Sequence, residues 1–106
     1  PEGVPIYVMR GASDEPSQSF AKHAPRVGHG AWNELASADQ RAAWAYYGAL
    51  FGWAKGGDMD MGPLGKYEFI DNQGMIGAIM PTMPDLPEPG WTTYFRVPDI
   101  DRAAEA

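Results

Sequence analysis

A single α+β domain ordered strand, helix, then three strands is what this sequence of 106 residues predicts. Three observations carry the prediction. Residues 27–35, VGHGAWNEL, alternate as a strand does, with Trp32 and Glu34 on one face and Val27, His29, Ala31, Asn33 and Leu35 on the other. Behind them runs an apolar stripe at helical spacing, Ala43, Trp44, Tyr47, Leu50 and Phe51, with Gly52 where a left-handed cap belongs. Residues 53–80 then hold three short runs of strand composition separated by two turn sequences, MGPLG and DNQG.

Taken in order, residues 4–9 (VPIYVM) read as a strand and residues 11–26, with two prolines and many small polar residues, as a loop in which Phe20 is an anchor. The helix has two rival starts. Ser37 and Gln40 have capping-box spacing, and Asp39 between them is an N-cap in its own right. Gly48, inside the helix, implies close packing against a neighbour. Residues 53–60, 66–70 and 75–80 are the three following strands, with Tyr67 and Phe69 sharing a face. Residues 81–90 carry four prolines and cannot be regular structure. Residues 91–97, WTTYFRV, start another strand, and Asp99 caps an alanine-rich helix after it.

That ending echoes the first strand and helix. The expected division is therefore residues 1–26 as the closing strand of a preceding or partner module plus a linker, 27–84 as the βαβββ module, 85–90 as a proline-rich linker, and 91–106 as the opening of a second module.

Composition excludes several classes. With 8 basic and 14 acidic residues the net charge is -6, which repels nucleic acid. There is no cysteine, hence no disulfide framework, thiolate metal site or thiol nucleophile. No apolar run has membrane-spanning length and no basic, apolar leader opens the sequence, so no membrane partner is expected and the cytoplasm is the default location.

The combination W-x-E-L on a strand, an aspartate-started helix ending YYGALFGW, MG before an aromatic strand, and YFRVPDIDRA after a proline-rich linker resembles the vicinal oxygen chelate superfamily. That group includes glyoxalase I, the bleomycin resistance proteins and the extradiol dioxygenases. The likeness is greatest to glyoxalase-like proteins of unassigned substrate. It implies a cup-shaped mixed sheet with helices packed outside, two modules pairing around a ligand.

In metal-using members a first-strand ligand lies seven residues before the aspartate that opens the helix; here those positions are Trp32 and Thr92, neither a credible ligand. The other ligand is a glutamate on the last strand, yet residues 74–83 contain no carboxylate. No metal ligand is assigned to this module and no cofactor is expected in it, a divalent ion staying open only through segments outside it.

The ligand-binding candidates are Trp32, Glu34, Tyr67, Phe69, Met80, Thr92, Tyr94 and Arg96. Trp32 is either a stacking wall in the cup or a core plug. Glu34 is a general base or ligand acceptor, or else, as the pattern favours, half of a structural ion pair with Arg96. Met80, with Met59, Met61, Met75 and Met83, suits core filling better than a plastic pocket. His23 reads as a solvated loop residue, and His29 points away from Glu34. No catalytic residue is assigned.

The resulting expectation is a domain binding a small apolar or aromatic molecule in the cup, acting as a homodimer or paired with a second module. The alternatives are a metal-dependent lyase, isomerase or dioxygenase with ligands from other segments, and a structural dimerisation module with its cup filled.

Overall fold

The computed structural model describes residues 1–17, 20 and 23–106. Strand β1 (Gly30–Ser37), helix α1 (Gln40–Phe51) and strands β2 (Ala54–Asp60), β3 (Lys66–Asp71) and β4 (Met75–Pro81) follow in the expected order. Strand β5 (Gly90–Phe95) and the short helix α2 (Ile100–Glu105) complete it. The strands form one mixed sheet ordered β2-β3-β4-β1-β5, in which β1 runs parallel to β4 and antiparallel to β5.

Asp39 wins the contest for the N-cap: its side chain accepts from the Ala42 amide, while Ser37 Oγ accepts from the Asp39 amide and donates to Glu2. Gln40 is drawn off instead to the sheet, where its amide donates to Glu68 and to the Lys66 and Ile79 carbonyls. At the other end Gly52 takes φ 71°, open to glycine at little cost, and its amide returns to the Gly48 carbonyl. The helix packs a narrower stripe than its sequence predicts. Ala43 and Tyr47 are buried, Trp44 and Phe51 half-buried, and Leu50 is 49% exposed because it lies at the margin of the sheet-facing arc.

Leu35, Ala43, Tyr47, Ile70 and Ile79 make the core, with Trp53 stacked on Tyr47 and the Trp91 ring edge-on to it. At Gly77 the parallel neighbour Asn33 comes so close that a Cβ would meet its carbonyl oxygen, so this β1–β4 contact requires glycine.

Residues 4–9 are not a strand. The segment pairs with neither edge of the sheet; Val4 and Ile6 rest on the core, Tyr7, Val8 and Met9 stay exposed, and Glu2 anchors it beside the start of α1 by accepting from the Ala38 and Asp39 amides. In the loop after it, part of which lies outside the described residues, Phe20 bridges to Gly30 as its anchoring role requires.

The echo between the two strand–helix units is geometric as well. Asn33 and Thr93 stand opposite each other in the antiparallel β1–β5 register, and Asp39 and Asp99, each six positions further on, cap the two helices. A local two-fold therefore runs through the Asn33/Thr93 pair and relates β1 to β5.

Candidate functional site

Alternation along the strands sorts side chains between two faces of the sheet. Leu35, Ile70, Ile79 and Trp91 turn toward α1. Trp32, Glu34, Tyr67, Phe69, Met80, Thr92 and Tyr94 turn the other way, on adjacent strands of one sheet, so seven of the eight predicted positions share the cup face.

At its centre is Glu34, only 9% exposed. Tyr67 donates its hydroxyl to Glu34 Oε2 at 2.6 Å, Tyr94 donates to Oε1 at 2.9 Å, and the Trp32 indole N–H donates to the Tyr67 oxygen at 2.7 Å. The two bonds to Glu34 are short, as bonds from a phenol to a carboxylate are. Register makes them possible: Trp32 faces Tyr94 and Glu34 faces Thr92 across β1 and β5, while Tyr67 reaches in from β3. Phe69 closes the group, its ring centroid 5.6 Å from Tyr67 and 6.2 Å from Trp32, both contacts edge-on.

Burial first, and then the hydrogen bond to Glu34, pushes the Tyr67 phenol far above its ordinary value; Tyr94 moves in the same direction for the same two reasons. Both phenols thus stay protonated and donating at neutral pH.

Arg96 is the exception among the predicted positions. It follows the end of β5, and its guanidinium Nη1 donates to the Pro25 carbonyl at 2.7 Å, so the expected ion pair with Glu34 is replaced by two phenol hydrogen bonds. The convergence of two tyrosines on one carboxylate went unread in the sequence, although the shared face of Tyr67 and Phe69, and of Thr92 and Tyr94, was its signal.

Among the described residues no cluster of three His, Asp or Glu side chains stands close enough to hold a metal ion. The cup face offers one carboxylate already bound to two phenols, an indole N–H and a threonine hydroxyl, a donor set that does not fit a divalent cation.

Two cavities lie away from this cluster. One of about 410 Å³ is on the α1 side, between Trp53, Ile70, Trp91 and the segment Pro5 to Tyr7. The other, about 470 Å³, lies between the N-terminal residues and Trp91. The cup face itself is partly open to solvent, with Tyr94 45% exposed.

No family model matches the sequence. Two curated proteins do: "Putative glyoxylase CFP32" of Mycobacterium bovis and the protein of the same name from Mycobacterium tuberculosis, each 36% identical over 84 residues, which is 76% of this chain. The chain belongs to the glyoxalase-like proteins of the vicinal oxygen chelate superfamily. It spans about a third, 32%, of the length of those relatives. In this glyoxalase-like domain the two positions that precede the helix-capping aspartates by seven residues, Trp32 and Thr92, lie on the cup face as the superfamily pattern implies, but one is a hydrogen-bond donor to a tyrosine and the other a neutral hydroxyl. No helix among the described residues is long and apolar enough to cross a membrane.

Proposed function

We propose that this glyoxalase-like domain binds a small apolar or aromatic molecule on the cup face, against Trp32, Phe69, Tyr67 and Tyr94, without a metal held by these residues. One observation carries the reading. The polar groups of the cup are held to one another through Glu34, and the aromatic rings around them remain partly open to solvent, with Tyr94 the most exposed. An aromatic surface around a hydrogen-bonded polar centre suits a small-molecule site.

Pairing completes the cup. Exposed Phe95, Val97 and Ile100 lie on or just beyond β5, whose outer edge corresponds, through the local two-fold, to the β1 edge that β4 covers. A second module, from another copy or from the same protein, is the fitting cover. Sedimentation of the 106-residue chain should give a dimer; a stable compact monomer would remove the homodimer and leave only pairing within a longer chain.

A second reading, a metal-dependent lyase, isomerase or dioxygenase with ligands from other segments, is favoured by the relatives' printed name and by the share of their length this chain spans. Elemental analysis with native mass spectrometry on one sample separates the two. Binding predicts a retained organic molecule and no stoichiometric metal; a stoichiometric divalent ion moves the protein to the enzyme reading.

A further inference from the structure

Resting on the cup-binding reading, we infer that the ligand is a small organic cation, a protonated or quaternary amine seated among the aromatic rings with Glu34 as its counter-charge. The sheet carries two inward carboxylates, one on each face, and they are treated differently. Glu68, on the α1 face, is neutralised by Lys55 Nζ at 2.7 Å and also accepts from Trp44 and Gln40. Glu34, the more deeply placed on the cup face, receives only neutral donors, two phenols, and no ion pair joins it to a cation among the described residues. The arginine that the sequence places nearest to it in face and register, Arg96, is turned to the Pro25 carbonyl.

A desolvated carboxylate held by dipoles alone is incompletely compensated, and its oxygens, each carrying one phenol, retain acceptor capacity. The rings around it supply the rest of a cation site. Trp32 and Tyr67 both stand nearly perpendicular to Phe69, at 73° and 75°, and Tyr94 flanks the other carboxylate oxygen. Aromatic rings grouped beside a carboxylate offer a cation both a ring face and a counter-charge, and favour one whose charge is spread over carbon, which is weakly hydrated. Anions are disfavoured twice, by Glu34 and by the net charge of -6. A neutral aromatic would stack equally well but would leave the carboxylate uncompensated.

Calorimetric titration of the purified protein with benzylammonium and with benzyl alcohol, near-isosteres that differ in charge, tests this directly and needs no variant. The ammonium should bind at least about ten-fold more tightly, and added salt should narrow the gap. Glu34→Gln should bring the two affinities together. Equal affinities for the unaltered protein, or an ammonium preference that survives Glu34→Gln, would overturn the cation assignment while leaving cup binding in place. Binding of neither probe would remove the cup reading and the cation assignment together.

Discussion

The two faces of this sheet are made by the same strands and differ by one residue in register, yet they solve opposite problems. On the α1 face Leu35, Ile70 and Ile79 meet Tyr47, which is fully buried, and the carboxylate of Glu68 has its lysine, its indole and its amide. On the cup face Trp32, Tyr67, Phe69 and Tyr94 surround a carboxylate bonded only to phenols, and among the described residues these rings keep part of their surface open to solvent. The helix covers one face because α1 follows β1 and lies over it, held to the sheet by Gln40; nothing equivalent crosses to the other side. Under the proposed reading the chemically ordered cup face is the binding surface, and the helix-covered face keeps it in shape.

The sharpest way to break this contrast is to truncate an aromatic on each face. Tyr47→Ala should cost about 3–5 kcal/mol in denaturant unfolding, the range for deleting a large buried ring, whereas Tyr94→Ala should cost well under half of that because the ring is half-exposed. Similar losses would mean that the cup face is core.

Tyr67→Phe comes next, at about 1–3 kcal/mol, since it deprives Glu34 Oε2 and the Trp32 indole of their partner. It also carries a pH signature. The folded Tyr67 phenol titrates above its model-peptide value of 10.0, so the native state holds its proton longer than the unfolded chain. This stabilising contribution is fully present below about pH 10 and is lost as pH rises further. Tyr67→Phe should therefore flatten the alkaline limb of the stability profile, measured by thermal melts at rising pH.

Asp39→Ala should cost about 1 kcal/mol through loss of the α1 cap, with Ser37→Ala smaller if the cap is indeed the aspartate. The smallest effect comes from Glu68→Gln, which gives up the Lys55 pair at about 0.5–1 kcal/mol in denaturant unfolding, since the lysine is half-exposed and an amide oxygen can still accept from Trp44 and Gln40. A loss well above about 1 kcal/mol would contradict the account of the α1 face.

Much of this was legible in the residues. The alternation through Trp32 and Glu34, the stripe through Ala43 and Tyr47 and the glycine at 52 gave strand, helix and cap, because each is a local signal read within a few residues. Placement on one cup face followed from parity alone for Trp32, Tyr67, Phe69 and Tyr94. Three features escaped. The run at residues 4–9 has strand composition but is held beside the start of α1 by Glu2 rather than at a sheet edge, a question of tertiary placement. Leu50 fits the helical stripe but overshoots the sheet. The partner of Glu34 depends on side-chain reach across two strand boundaries, which places the Tyr67 and Tyr94 hydroxyls at the carboxylate and Arg96 past the end of β5.

The most direct test is chemical-shift mapping on the indole N–H groups, because the four tryptophans report on different places: Trp32 on the cup, Trp44 on the α1 flank, Trp53 and Trp91 on the covered face and its cavity. Titration of nitrogen-labelled protein with benzylammonium should move the Trp32 signal first and most, since its N–H is bonded to the tyrosine that holds Glu34. Movement confined to Trp53 and Trp91, with Trp32 unchanged, would place binding in the cavity on the α1 side and contradict the assignment of the cup as the site.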